Sequence, residues 1–384
     1  MVLPTAEHHS QGNRTPIQIE PADTSDRRVE GAPDGTKTEP ESHPHLHAAV
    51  MAQGGSSKVS NLLLASWAKN TKLSYSSHLK KWAEFCQQKG IADIYSVTFE
   101  QGVEFLADLY QAGSKYGAIA AARSALSAIL LRQKGISFGK HPLVSRAIKG
   151  VFKSRPSFPK SSMLITFDTN IILQYMDSLP PNESLMLELL SKKLCTLLCI
   201  LSGQRAQTIT ALRKDFMHKC PRSGKITFAI PSVLKHTKPG KHQDPLEFFP
   251  YPHNLKLCVV NCLEVYESRV DLIRENSCEG QNLIISYWPP YKPVNPQTLA
   301  RYVKSFLHMA GIELTFSAHS TRSASTSKAN NQGLSMKDIA KAAGWSGEST
   351  FQQFYNKPVT KNFGKTILIP NITSISGEHD YAQK

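Results

Sequence analysis

Two prolines in Arg155-Pro156-Ser157-Phe158-Pro159-Lys160 divide this chain. Each proline fixes φ and lacks a backbone donor, so a close pair bars a helix and marks a linker. Before it, from Asn61 to Arg155, the pattern is helical. Tyr75, Leu79, Trp82 and Cys86 recur at i, i+4, i+7 and i+11, the stripe of an amphipathic helix, with Asn70 and Thr71 as candidate N-caps. Thr98 is placed to cap a second helix carrying Val103, Leu106 and Tyr110. A third covers Ala118–Leu131 and a fourth Pro142–Phe152. Four short helices make one small bundle.

After the linker, helical patterns cover Asp168–Leu179, an apolar stretch from Leu185 to Leu201, Leu255–Glu275, Asn295–Ala310 and Ser335–Ala343. Between 224 and 250 the period changes to two. Lys225–Ile230 and Leu246–Phe249 alternate as strands do, and Pro239-Gly240 marks a turn. This predicts a β-hairpin with Lys235, Lys238 and Lys241 near its tip. The expected fold is therefore mainly α with a small β-sheet, an α+β chain. Its expected divisions are a disordered tail over 1–57, a helical domain over 58–155, a linker over 156–165, a second domain over 166–371 and a C-terminal tail over 372–384. The tail is expected to be disordered because its residues are polar, acidic and rich in Pro and Gly, with no sustained apolar period.

Charge narrows the partner. The chain carries +15, yet residues 1–50 hold four basic against eight acidic residues, so the remainder carries +19. An excess of this size suits a polyanion, since each Lys or Arg seated on a phosphate releases a condensed counterion. In the first domain Lys80, Lys81, Arg123, Lys149 and Lys153 either line a DNA groove or form a solvated face. No apolar run approaches the ~18–20 residues of a membrane helix, and Met1-Val2-Leu3-Pro4 opens no apolar signal core. Seven scattered cysteines fit free thiols in a reducing compartment. Cys195/Cys199 and Cys258/Cys262 lie inside apolar helical patterns without zinc spacing, so they read as core residues and no metal is assigned.

The chemistry concentrates in Ala318-His319-Ser320-Thr321-Arg322, then Gly344-Trp345-Ser346, then Ser349-Thr350-Phe351-Gln352-Gln353-Phe354-Tyr355, with Ser202-Gly203-Gln204-Arg205 closing the apolar helix. Taken together these resemble the active-site signature of the tyrosine recombinases, the phage-integrase family. That signature is an arginine after a buried helix, a hairpin lysine, an H-x-x-R, a His or Trp after a glycine, and a late tyrosine. The resemblance covers about residues 60–360. The wording His-Ser-Thr-Arg-Ser-Ala-Ser-Thr-Ser-Lys-Ala, with Ala-Gly-Trp-Ser and Ser-Thr-Phe later, is similar to recombinases of eukaryotic DIRS-like retrotransposons and Crypton transposons.

The resemblance implies a SAM-like helical core-binding domain and an integrase-type catalytic domain closing on duplex DNA as a C-shaped clamp. It also implies four protomers acting on two DNA sites, integration of a mobile element, and a nuclear location. Tyr355 is the implied nucleophile, forming a 3′-phosphotyrosine. Arg205 and Arg322 would grip the phosphate, whose planar fork they match. His319 would act as base and Lys235 as acid to the leaving oxygen, with Lys238 and Lys241 competing for that role or touching the DNA backbone. Trp345, where many relatives have histidine, would donate one hydrogen bond without shuttling a proton. No cofactor is required. Two rivals share these features: a catalytically silent DNA-binding protein descended from such an enzyme, and a type IB topoisomerase. The segment Thr366-Ile367-Leu368-Ile369 would dock on a neighbouring protomer or pack on its own domain.

Overall fold

The computed structural model describes residues 44–52, 56–156, 165–235, 237–240, 242–274, 281–345 and 347–358. The chain divides into two compact units, Met1–Ser157 and Phe158–Lys384. Thr366–Ile369 and the tails 1–43 and 359–384 lie outside the described residues, as does Lys241.

The first unit is built on the helix Lys69–Gln88, whose stripe buries Leu79, Trp82, Phe85 and Cys86. Phe105 and Leu106 of Phe99–Gln111, five apolar residues of Tyr116–Ile129, and Val144 and Ile148 of Pro142–Ser154 complete this core. Trp82 is fully buried, and its indole donates to Ile94 O at 2.9 Å, so the polar end of the largest side chain is satisfied. Thr98 forms a capping box with Gln101, which satisfies two otherwise orphaned donors. The structure corrects one expected cap: Ala68, not Asn70 or Thr71, stands at the start of Lys69–Gln88 and makes no side-chain cap bond. There the Trp67 ring packs edge-on against Tyr75 at 5.9 Å. A second difference falls in the expected disordered tail. Pro44–Ala52 is a helix with Leu46, Ala49 and Val50 buried in the first core. Their i, i+3, i+4 spacing makes a stripe too short to register among the surrounding polar residues. Ser57–Ala65 follows, capped by Ser56.

In the second unit the helix Leu187–Ser202 runs through the core. Residues 193–200 of it are buried on every side because it packs against Val259–Arg274, Pro296–Met309 and Ser320–Asn331. Burial pushes the thiols of Cys199 and Cys262 up to about 12, so they behave as inert core groups. The helix stops at Gly203, whose φ of +59° is the left-handed conformation that closes a helix without a Cβ clash. The expected hairpin forms, with Ile226–Phe228 (β2) antiparallel to Leu246–Phe248 (β3) and Thr227 opposite Glu247. Its other neighbour is a strand absent from the sequence reading, Met217–Lys219 (β1), paired so that His218 faces Thr227. This edge strand is three residues long and mostly exposed, so it carries no apolar alternation. A smaller cluster of Ile339, Ala340, Ala343, Trp345, Phe351 and Tyr355 follows at the C-terminal end. No helix among the described residues is long and apolar enough to cross a membrane.

Candidate active site

Four sequence segments converge here. The left-handed turn at Gly203 redirects the chain so that Arg205 falls at the start of the short helix Ala206–Thr210. Arg205 is half-buried, and its Nη1 is enclosed without a hydrogen-bond partner. His319 stands at the start of Ser320–Asn331, and Arg322 lies one turn into that helix, so the H-x-x-R spacing sets both on adjoining turns.

Arg322 is completely buried. One guanidinium nitrogen, Nη2, donates to Ala343 O at 3.0 Å, while Nε and Nη1 have no partner. Its Cζ lies 4.9 Å from the Trp345 ring and 5.3 Å from the Tyr355 ring, a cation held against two aromatic faces. Burial, and then the charge of Arg205, push its pKa down to about 10, with Tyr355 acting in the opposite direction. It therefore stays charged at neutral pH.

Trp345 follows Gly344, whose φ is +67°. The indole stacks on Tyr355 at 4.6 Å and on Phe351 at 5.8 Å, and its Nε1 is buried without a partner. Tyr355 ends the helix Glu348–Phe354 and is nearly buried. Its hydroxyl lies 3.2 Å from His319 Nε2. His319 is exposed on one side and meets the Tyr355 ring edge-on at 5.7 Å on the other. Partial burial of the ring, then the charges of Arg322, Arg205, Lys357 and Lys235, lower its pKa from the ordinary value. That favours the neutral imidazole, the form able to accept a proton.

Arg205, His319, Arg322, Trp345 and Tyr355 are thus brought together. Lys235 is exposed in the connection between β2 and β3, near enough for its charge to act on His319, and Lys238 is exposed in the same connection. In the first unit Lys80, Lys81, Lys149 and Lys153 are exposed, whereas Arg123 is half-buried with Nε enclosed and unpartnered. Two contributors were not singled out from sequence. Gln204 is buried and donates through Nε2 to Ala342 O at 2.7 Å, beside the Ala343 carbonyl that Arg322 holds. Lys357 adds its charge to the surroundings of His319. Neither carries a sequence signal, since a single Gln or Lys is usually a surface residue.

Buried donors left without acceptors are costly, and two neighbouring arginines repel. Arg205 Nη1, Arg322 Nε and Nη1, and Trp345 Nε1 together call for an oxyanion, with a phenol and a neutral imidazole beside it. The fold is mainly helical with a small three-stranded sheet, and the site sets a tyrosine and a histidine beside four buried donors that lack acceptors. Residues 172–361 match the family described as Phage integrase family. Among solved structures, XerH site-specific recombinase bound to difH substrate in a pre-cleavage complex aligns with a TM-score of 0.51 at 13% identity, over 73% of this chain and 75% of that one. A lambda integrase dimer bound to a COC' core site aligns at 0.46 and 16% identity, over 83% and 97%. The Tn1549 transposon integrase in complex with transposon right end DNA aligns at 0.49 and 14%, over 84% and 96%. The XerH alignment, at 13% identity, speaks to the fold alone. No curated protein matches in sequence.

Proposed function

We propose that the protein cleaves and rejoins duplex DNA, with Tyr355 as the nucleophile that holds the broken strand as a 3′-phosphotyrosine. The observation that carries this reading is the Tyr355 Oη to His319 Nε2 distance of 3.2 Å beside four buried donors lacking acceptors. A scissile phosphate supplies those acceptors. Arg205 and Arg322 bind its non-bridging oxygens, where charge accumulates as attack proceeds, and Trp345 Nε1 adds a third hydrogen bond. A free tyrosine titrates near ~10 and is a weak nucleophile at neutral pH. His319 Nε2 takes its proton as Oη forms the bond to phosphorus. The bond to the 5′ oxygen breaks, and Lys235 protonates that oxygen, with Lys238 and Lys241 as competing donors. The phosphodiester is exchanged for a phosphotyrosine ester, so the reverse attack by a 5′ hydroxyl rejoins the strand without external energy.

The wider reading is recombination: integration of a mobile element, of the DIRS-like or Crypton kind, by four protomers on two DNA sites in the nucleus. The signature wording and the +19 on residues 51–384 support it. Nicked duplexes that lose a short 5′-hydroxyl fragment after cleavage test the core of the proposal. Wild-type protein should accumulate a covalent adduct on the 3′ end and Tyr355→Phe should not. Binding without any adduct would favour a catalytically silent DNA-binding protein.

A further inference from the structure

The helix Ser320–Asn331, reading Ser-Thr-Arg-Ser-Ala-Ser-Thr-Ser-Lys-Ala-Asn-Asn, is unusually rich in hydroxyls. Inside a helix such side chains ordinarily bond back to a carbonyl three or four residues earlier. Four of these do so: Thr321 to Ala318 O, Ser323 to Ser320 O, Ser325 to Thr321 O and Thr326 to Arg322 O. Ser327 does not. It is completely buried, and its Oγ donates to Tyr355 O at 2.9 Å while accepting from Lys357 N at 3.0 Å. One hydroxyl therefore ties the backbone on both sides of Asn356 to the helix that carries Arg322. Just beyond, Thr166 N donates to Pro358 O at 3.0 Å, and Thr166 Oγ1 meets Ser323 Oγ at 3.5 Å.

The helix before Tyr355 is short, Glu348–Phe354, and a seven-residue helix holds its own shape poorly. Tyr355, the capping residue just past its end, is the one whose hydroxyl must meet the phosphate. The tie at Ser327 makes the tyrosine and Arg322 parts of one framework, because Ser327 lies on the same helix as Arg322, a little over one turn further on.

We propose that Ser327 is a positioning residue for Tyr355: its hydroxyl latches the turn after the nucleophile onto the Arg322 helix and sets the reach of Oη toward the phosphate. This rests on the phosphotyrosine reading above. The serine acts through the backbone and touches neither DNA nor the reacting atoms. Its hydroxyl uses one donor and one acceptor, and no apolar residue replaces either.

Ser327→Ala and Ser327→Cys, compared with wild type, provide the test. With DNA saturating, cleavage by folded Ser327→Ala should be slower by at least about tenfold, while DNA affinity changes little and the melting temperature falls by no more than several degrees. Ser327→Cys, whose thiol is a weak donor and acceptor, should fall between. Amide hydrogen exchange reads the latch without catalysis. The Lys357 amide should be protected in the wild type and exposed in Ser327→Ala, with the amides of 323–327 unchanged. Wild-type cleavage by Ser327→Ala, a loss matched by a loss of folded protein, or an unprotected Lys357 amide in the wild type would each overturn the proposal. If wild-type protein forms no adduct on any duplex while the Lys357 amide is protected, the proposed function has failed and the latch remains as a structural tie only.

Discussion

The hydroxyl of Tyr355 stands 3.2 Å from Nε2 of His319, and the two residues reach one another from helices that face in from different parts of the second unit. His319 begins the helix that also carries Arg322, and Tyr355 ends the helix that follows Trp345. His319, Arg322 and Tyr355 are therefore linked through two short pieces of backbone. Changes in any of them should be read as changes in this one geometry.

His319 yields a pH prediction. Its pKa lies below the ordinary imidazole value, chiefly through partial burial and then through Arg322 and Arg205. Cleavage should stay level from about pH 8 down to about 6.5 and fall only in more acidic solution, where the ring takes up a proton. The stability effect has the same sign. With a depressed pKa the folded state binds fewer protons than the unfolded state, so stability falls as pH drops below about 6.5. Rates at saturating protein and chemical denaturation across this range check both, and His319→Gln should remove the acid limb of each curve.

Arg322→Lys keeps the charge and loses the planar fork. Because Nε and Nη1 are the buried, unpartnered donors here, cleavage should slow by about a hundredfold or more, with weaker effects on DNA affinity. Single-turnover rates and binding isotherms on the same duplex separate the two. Equal losses in both would contradict a transition-state role.

Trp345→Phe keeps an aromatic ring to stack on Tyr355 while removing the indole N–H together with part of the ring volume. The expected result is cleavage slower by roughly ten- to a hundredfold with a melting temperature within a few degrees of wild type. Trp345→His, which retains a ring donor, should recover part of the rate.

Much of this site was legible because its chemistry needs particular residue types in a particular order. The apolar run closed by Ser202-Gly203-Gln204-Arg205 predicted a buried helix, whereas its left-handed stop at Gly203 and the helix Ser320–Asn331 that carries Arg322 were not read from the pattern. Contributions made through backbone were not legible. Gln204 and Ser327 act by bonding carbonyls and an amide far away in sequence, and nothing in their type or neighbours marks them. The fold shows the same division. Strong stripes such as Leu79, Trp82 and Cys86 predicted their helix, whereas the edge strand Met217–Lys219 and the helix Pro44–Ala52 are held by partners that local pattern does not reveal. The cap expected at Asn70 or Thr71 fell on Ala68, a shift of the size helix ends commonly show.

Gln204→Leu tests whether that glutamine supports the turn carrying Trp345. It removes the bond to Ala342 O and should destabilise the protein by about 1–3 kcal/mol in denaturant unfolding. Trp345 fluorescence should change with it, because the turn from Ala342 to Trp345 loses one of its two side-chain ties.

The most direct test of the account is the chemical identity of the attachment point. Protein trapped on a nicked duplex is digested, and the nucleotide-bearing peptide is sequenced by mass spectrometry. The account predicts a nucleotide on Tyr355 within Phe351-Gln352-Gln353-Phe354-Tyr355-Asn356-Lys357, with no such peptide from Tyr355→Phe. A nucleotide on any other residue, or an adduct that persists in Tyr355→Phe, would contradict it.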